Sequence, residues 1–301
     1  MNPSAAFHVE TADYAVQQAL LHGVRRAVFV EEQKVPAELE TDSLDPLSRH
    51  ALAFDAQGQA IGAGRLTPDQ RIGRMAVLAA WRGQGVGEAL LHKLLEQARA
   101  LGWGEVSLHA QLAARDFYAR NGFLPQGPIF VEAGIEHQTM RQRLDGAMRV
   151  QDPEQAAAAT TAVIHSARRR LRWQIRGDDA LLAQPQVLAA LRRFATARHD
   201  KQVQLLLHAS DLSALPAAFI ALVQRLPSVF QLREPVDPAD CQVASAGLGS
   251  DSGACYFRPI GARCEGEFAL AAQARAHQQE ELFQRIWERS RDCAELRVLG
   301  V

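Results

Sequence analysis

At 301 residues with a formal net charge of -1, the chain is long enough to form two domains of ordinary size. Residues 1–150 carry 15 Lys and Arg against 17 Asp and Glu, and residues 151–301 carry 18 against 17. Neither half therefore has the basic excess expected of a protein held on nucleic acid by phosphate contacts, and nucleic-acid binding is disfavoured.

The first half shows hydrophobic patterns of both strands and helices. Apolar alternation between turn residues predicts strands over 6–9, 51–55, 60–66, 71–78 and 105–109, another near Phe130, and one over 139–144. Apolar residues near helical spacing predict helices over 13–30, from Gly87 to residue 101, and over 112–121. The turn-forming stretch 146–156 is predicted to be a linker between domains 1–145 and 157–301.

Strand and helix patterns alternate through the second half of the chain. They predict helices over 154–168, 179–197, 212–226 and 267–289, and strands over 171–176, 203–208, 229–233 and 254–259. Such alternation is typical of an α/β layer with a largely parallel or mixed sheet.

The stretch most informative about chemistry is MAVLAAWRGQGVG, residues 75–87, in which a strand enters a glycine-rich turn and a helix begins. Gly83, Gly85 and Gly87 allow the backbone to approach a bulky anion, and the first N–H groups of the helix favour a pyrophosphate. Arg82 adds a charged donor. A Rossmann loop fits poorly because an antiparallel meander precedes the turn, and the Gly-Lys-Ser/Thr of a Walker A loop is absent.

On these residues the chain resembles the GNAT superfamily of N-acetyltransferases, whose signature Arg/Gln-x-x-Gly-x-Gly/Ala is matched by residues 82–87. The stretch ARDFYARNGF, residues 114–123, resembles the family helix that carries a tyrosine before Gly-Phe. Residues 24–33 and 132–137 are similar to the small bacterial ElaA-like branch. The resemblance covers residues 1–145 and implies an α/β fold with a mixed sheet that splays open between its fourth and fifth strands.

The resemblance also implies acetyl-CoA as co-substrate, held in that opening. The residues that it assigns to acetyl-CoA binding lie on the fourth strand, in the glycine loop and on the later helix: Met75, Ala76, Val77, Arg82, Gly83, Gln84, Gly85, Val86, Gly87, Arg115 and Tyr118.

Acetyl transfer needs a neutral amine, a polarised thioester carbonyl and a proton for the departing thiolate. The resemblance makes Tyr118 the general acid. The base stays open among His109, Glu31 or Glu32, His137 with Glu132, and a water relay; Glu32 and His137 rank slightly above the others. The acidic loop 31–45 is expected to be solvated surface, with a lid that prefers a cationic amine as the alternative.

The second half resembles a single phospholipase D-like unit through residues 164–173 and 283–288. The resemblance lies in the order of helices and strands more than in catalytic residues. Active members carry His-x-Lys-x4-Asp, but residues 234–241 read EPVDPADC and the only lysine of this half is Lys201. The second domain is therefore predicted to be catalytically inactive and to serve binding, dimer formation or substrate presentation.

The N-terminus lacks the basic start and apolar run of a signal peptide, and the longest apolar stretch, 214–223, is too short for a bilayer span. All four cysteines lie in the second half without metal-binding spacing. The sequence thus predicts a cytoplasmic protein with no membrane segment and no metal.

Two functions follow from these patterns. The first is acetyl transfer from acetyl-CoA to a primary amine by direct attack in a ternary complex, because residues 1–145 contain no cysteine for a covalent intermediate. The acceptor stays open among a small polyamine or amino sugar, a peptide N-terminus and a protein lysine, and a homodimer is left open. The second is a regulatory sensor that binds acyl-CoA without turnover.

Overall fold

The computed structural model describes residues 6–176, 178–197, 200–208 and 215–293. Contacts within the chain divide it into two compact units. The first unit comprises residues 1–114 and 126–145, and the second comprises 115–125 and 146–301. The predicted domains placed residues 115–125 in the first half, whereas the contacts group them with the second.

The first unit is built on a seven-stranded sheet in the order β1-β2-β3-β4-β5-β7-β6. Its first four strands form the predicted antiparallel meander, and β4 and β5 are parallel. The strands are β1 (Phe7–Ala12), β2 (Arg49–Asp55), β3 (Ala60–Leu66), β4 (Arg71–Val77), β5 (Glu105–Gln111), β6 (Leu124–Glu132) and β7 (Ile135–Arg143), with helices α1 (Tyr14–Arg25) and α2 (Val86–Ala100).

Helix α1 begins where the Asp13 side chain accepts a hydrogen bond from the Ala15 backbone N–H at 2.9 Å, as an N-cap should. The chain then continues as a π-helix over Arg26–Glu32, so the single helix predicted over 13–30 is two helical segments that end at residue 32. Leu21, Val24 and Val28 are buried in one cluster with apolar residues of the sheet. Burial of this stripe holds both helical segments on the sheet, because each fully buried aliphatic side chain contributes about 1.5–3 kcal/mol.

A β-bulge interrupts the ladder between β3 and β4, at the point where β4 stops pairing with β5. Ala63 pairs with Ala76 and Arg65 with Gly73, so Arg74 and Met75 together stand opposite Gly64. Arg74 adopts φ +51°, a conformation unusual for a residue with a side chain. Before the bulge, β4 pairs with β5 through Arg71 with Ser107 and Ile72 with Leu108. Beyond the bulge, β4 has no ladder with β5. The two strands therefore diverge, in agreement with the predicted splay.

The second unit contains an eight-stranded sheet in the order β15-β11-β10-β9-β12-β13-β14-β8. Strands β9, β10 and β11 are parallel and the other recorded pairs are antiparallel, which confirms a mixed sheet. The strands are β8 (Met148–Val150), β9 (Arg170–Arg176), β10 (Gln202–His208), β11 (Phe230–Glu234), β12 (Ala246–Ser250), β13 (Cys255–Arg258), β14 (Gly266–Ala269) and β15 (Arg291–Asp292).

Six helices of the second unit are described: α3 (Arg115–Arg120), α4 (Pro153–Ser166), α5 (Pro185–Thr196), α6 (Ala217–Arg225), α7 (Pro238–Cys241) and α8 (Gln273–Arg289). Helix α3 packs against α4, and this contact explains why residues 115–125 group with the second unit. Helix α4 is buried over most of its length, which its run of small side chains permits.

Three sequence predictions in this half differ from the structure. The predicted linker 146–156 contains β8 and the start of α4, because β8 pairs with β14 and Asp152 caps the helix. The helix predicted over 179–197 is a 3-10 turn, Ala180–Ala183, followed by α5, since Pro185 lacks the N–H needed to continue a helix through it. The helix predicted from 267 begins at Gln273, because residues 266–269 pair with β13. Residues 212–214 of another predicted helix lie outside the described residues.

None of the helices in the described ranges has the combination of length and hydrophobicity that a bilayer span requires.

Candidate active site

The glycine-rich turn lies between a short 3-10 turn, Ala79–Trp81, and α2. Gly83 has φ +74° and Gly85 has φ +88°, a region where a side chain would strain the backbone. Gly85 is the N-cap of α2, so no side chain caps this helix. The N–H groups of Val86 and Gly87, at the first helical positions, therefore have no intrahelical acceptor, and the helix dipole adds a partial positive charge. This is the geometry of an anion site.

Arg82 of the turn is held by two partners. Its guanidinium makes a bidentate ion pair with Glu32, with N–O distances of 2.7 and 2.6 Å, and its Nε donates to the Val77 carbonyl at 3.0 Å. The hydrogen bond from Arg82 lowers the pKa of Glu32. Glu32, one of the two favoured base candidates, is consequently a weaker base than an unpaired glutamate.

The edge of β4 beside the splay offers backbone groups for an added strand. The Leu78 N–H bonds to the Ile61 carbonyl of β3, so by the alternation of a strand the polar groups of Val77 point away from β3. Met75 belongs to the bulge, Ala76 and Val77 follow it, and all three lie beyond the ladder with β5. In this structure the Val77 carbonyl accepts a hydrogen bond from the Arg82 Nε.

His109 and Glu132 form a pair next to this edge of the sheet. The His109 Nδ1 lies 2.9 Å from the Glu132 Oε2, and His109 packs edge-on against Phe130 with ring centroids 4.8 Å apart. Burial acts to raise the pKa of Glu132, but the hydrogen bond and charge of His109 outweigh it and lower that pKa. The carboxylate therefore stays ionised and fixes the imidazole, with the second ring nitrogen left for a proton transfer.

His137 takes a different position. Its Nδ1 lies 2.8 Å from the Ile135 carbonyl, and its ring stacks on Phe130 with centroids 6.0 Å apart. Glu132 was predicted to act with His137, whereas the structure pairs it with His109. Phe130 thus contacts both histidine rings, and of the two histidines it is His109 that is paired with Glu132.

Tyr118 and Arg115 belong to α3. Tyr118 is 8% exposed and packs edge-on against Phe117 and Phe123. Burial raises the pKa of its hydroxyl, which makes the phenol a weaker acid than an exposed tyrosine. Arg115 forms an ion pair with Glu154 of α4, so its guanidinium is already engaged with a carboxylate.

The acidic loop is not uniformly solvated, contrary to the expectation from its charge. Arg25, 1% exposed, binds Glu40 and also Asp45, which is fully buried and contacts Arg25 at 2.8 and 3.0 Å. Asp45 also accepts a hydrogen bond from Arg65 at 2.7 Å. Burial opposes the charge on Asp45, but these two guanidinium groups lower its pKa to about 2. The loop is therefore anchored by a buried ion network. Glu31, 65% exposed, agrees with the expectation of a solvated surface.

This loop is also tied to the bulge of β4. Arg74 donates to the Leu39 carbonyl at 2.8 Å and lies 3.3 Å from an Asp42 oxygen. Sequence reasoning missed both the network and the bulge. Gly64 is the residue that could have indicated the bulge opposite it, because a side chain there has no room: an added Cβ would lie 2.7 Å from the Met75 sulfur and 2.9 Å from Leu94.

No group of three or more His, Cys, Asp and Glu side chains within the described ranges is arranged to hold a metal ion.

The candidate site consists of the glycine loop, the open edge of β4 and the His109–Glu132 pair.

Comparisons with known proteins cover both halves of the chain separately. Residues 10–144 match the family model described as an acetyltransferase (GNAT) domain, and residues 152–299 match one described as a domain of unknown function (DUF7931). The phospholipase D-like resemblance thus stays a prediction.

Several relatives resemble the first half. Over 122 residues the chain is 39% identical to the uncharacterized N-acetyltransferase YjcF of Bacillus subtilis, which covers 39% of this chain and 86% of that protein. It is 35% identical to protein ElaA of Escherichia coli over 122 residues, or 38% of this chain and 79% of that protein. The crystal structure of Escherichia coli ElaA matches with a TM-score of 0.41 at 29% identity, covering 46% of this chain and 99% of that one.

The matched region contains the glycine loop, the bulged β4 and the stretch that carries Tyr118, in the order predicted from the sequence. Through residues 10–144, the chain belongs to the GNAT acetyltransferase family.

Proposed function

We propose that this protein is an N-acetyltransferase that moves the acetyl group of acetyl-CoA to a primary amine by direct attack in a ternary complex. The observation that carries the proposal is the uncapped start of α2 at Gly85, next to the edge of β4 that the bulge separates from β5. Family membership supports acyl transfer from an acyl-CoA. The choice of the acetyl group belongs to the proposal.

The glycine loop would hold the pyrophosphate with the N–H groups of residues 83–87, and the β4 edge at Met75 and Val77 would bind the pantetheine as an added strand. Arg82 and the Val77 carbonyl are engaged with one another and with Glu32. Acetyl-CoA would therefore exchange these contacts: the pyrophosphate takes the guanidinium from Glu32, and the pantetheine takes the carbonyl.

For the chemistry, His109 is our choice of base, with Glu132 as the positioning residue. The amine nitrogen attacks the thioester carbonyl carbon and the C–N bond forms. The C–S bond then breaks, His109 takes the proton that the nitrogen loses, and the departing thiolate takes the Tyr118 proton. Only His109 among the candidate bases has a carboxylate that fixes its ring, at 2.9 Å. The role of Tyr118 rests on the resemblance to the family motif.

The acceptor class within the primary amines stays open between small molecules and peptide or protein amines. The second unit is proposed to be non-catalytic and to serve binding or oligomerisation. Its phospholipase D-like character is part of the proposal, and it predicts no phosphodiesterase activity, because residues 234–241 lack the His-x-Lys-x4-Asp motif.

The test begins with calorimetric titration of acetyl-CoA into the wild-type chain and a Gly85→Glu variant. The added carboxylate repels the pyrophosphate and the side chain strains φ +88°, so binding should be lost. Thiol release is then followed across a panel of amines with wild type, Tyr118→Phe and His109→Gly. Loss of turnover in both variants, with rescue of His109→Gly by added imidazole, is the expected result.

A matched control for His109→Gly is His92→Gly, because His92 is an exposed residue of α2 outside the site. Equal losses in the two histidine variants would contradict the role of His109. Binding of acetyl-CoA without turnover on any amine would favour the alternative, an acyl-CoA sensor. Absence of binding in the wild-type chain would refute both functions.

A further inference from the structure

A cavity of about 430 Å³ lies within the second unit, between the face of β9 and β12 and the first half of α8. Its volume is within the range typical of small-molecule sites. Residues of both strands, of the turn 251–253 and of α8 line it. All of them belong to the second unit, whereas the glycine loop belongs to the first.

Two glycines form the floor of this cavity. Gly247 and Gly249 alternate along β12 with Leu248, which is 1% exposed and faces the opposite side of the sheet. A Cβ added to Gly249 would meet no atom within 4 Å, so the absence of a side chain there leaves open volume. The alternation of glycine on one face of a strand is what makes room under α8.

Gln279 of α8 lies above this floor. The distance from an ideal Gly247 Cβ to the Gln279 Oε1 is 3.7 Å. Both polar atoms of the Gln279 amide are buried and neither has a hydrogen-bond partner within the described structure. A buried amide with no partner is costly, and its donor and acceptor together match the C=O and N–H of another amide.

The charged residues around the cavity have different partners. Arg172 is paired with Glu280, and Asp251 accepts backbone N–H bonds from residues 168 and 169, both at 2.8 Å. Arg170 differs, since its described contact is from Nε to the Gln202 amide oxygen at 3.3 Å. Among the cavity-lining residues that the structure describes, Arg170 is the arginine for which no carboxylate partner is recorded.

One part of the wall is apolar. Phe257, Leu282 and Phe283 line the cavity together with Ala276. A ligand that fits would therefore combine one negative group for Arg170, one amide for Gln279 and one apolar group for this wall.

We infer that the cavity binds a small organic anion that carries an amide beside an apolar side chain, which is the chemistry of an N-acylated amino acid. Arg170 binds its carboxylate, the Gln279 amide pairs with its amide, and its side chain packs on Phe257 and Leu282. This inference goes beyond the proposed acetyl transfer. An N-acetyl amino acid is, however, also what that reaction would form from an amino acid, so the test must separate the two sites.

The experiment titrates N-acetyl-L-leucine into the full-length chain by calorimetry, beside L-leucine, which lacks the amide, and N-acetyl-L-leucinamide, which lacks the charge. Only the first should bind well. Gly249→Val adds a side chain to the floor at a position where a Cβ meets no atom within 4 Å, and Arg170→Gln removes the cation. Each should weaken binding at least tenfold. Arg169→Gln is the matched control, because Arg169 is a neighbouring exposed arginine that does not line the cavity. It should bind like the wild type.

Gln279→Met gives a readout that a structural role would not produce. It removes the partnerless amide at nearly constant volume, so the melting temperature should rise while affinity for N-acetyl-L-leucine falls. Gly85→Glu should leave this binding unchanged although acetyl-CoA binding is lost. No binding of N-acetyl-L-leucine at millimolar concentrations would overturn the inference, as would binding that is lost in Gly85→Glu and retained in Gly249→Val. Either result would leave the proposed acetyl transfer standing.

Discussion

The buried ion network of the first unit allows a quantitative test with Arg25→Met. Arg25 is 1% exposed and donates to the Glu40 side chain, to the Glu40 carbonyl at 2.6 Å and to both Asp45 oxygens. The variant leaves Glu40, 5% exposed, without the guanidinium that neutralises it. Removing one partner of a buried pair costs about 3–5 kcal/mol. Because Asp45 keeps Arg65 at 2.7 Å, we expect a loss of about 3 kcal/mol.

Hydrogen exchange measured by mass spectrometry suits this chain, because it reports each unit by itself where a global melt would mix them. The amides of Leu39 and Leu47, which bond to the Pro36 and Leu44 carbonyls at 3.0 Å, should lose protection first. Peptides of β9 and β10 in the second unit should keep theirs.

Arg26→Met is the matched control for this prediction. Arg26 is the next residue, is 72% exposed and lies 3.6 Å from an exposed Glu31 oxygen. Such a surface pair contributes about 0–1 kcal/mol, so its loss should be small. A loss below about 1 kcal/mol in Arg25→Met, or an equal loss in the two variants, would refute the assignment of the network as the anchor of the loop.

Three further predictions test the same region of the chain. Asp45 has its pKa lowered from 3.8 to about 2, so by linkage it stabilises the folded state by about 2 kcal/mol above pH 4, and this contribution disappears as the pH falls toward 2. The stability of the first unit, measured by hydrogen exchange during urea titration, should depend less on acid pH in Asp45→Asn than in the wild type, and an unchanged dependence would contradict the pairing. Gly85→Ala should cost the first unit about 1–2 kcal/mol by the same measurement and should weaken acetyl-CoA binding, because φ +88° excludes a side chain; a neutral effect on both would show that the turn relaxes. Glu32→Gln weakens the hold on Arg82 and should tighten acetyl-CoA binding about two- to tenfold by calorimetry, whereas weaker binding would mean that Glu32 itself supports the site.

Much of the fold was predictable because it depends on local patterns. The apolar runs of β2 and β3, the apolar stripe of α2 and the glycine turn all depend on neighbouring residues, and their order predicts the GNAT region. Failures came where pairing overrode pattern. Residues 266–269 satisfy a helical reading but pair with β13, and β8 lies in a predicted linker because β14 provides its partner.

The candidate site divides in the same way. The sequence by itself determined which residue types are present: Arg82 with three glycines at the start of a helix, a tyrosine before Gly-Phe, and several possible bases. Only the tertiary structure decided their partners, because a side chain's charge and basicity depend on groups far away along the chain. Arg82 is paired with Glu32 across 50 residues, and Glu132 with His109 across 23. Those long-range hydrogen bonds, which no local pattern records, turn a list of candidate bases into one favoured pair.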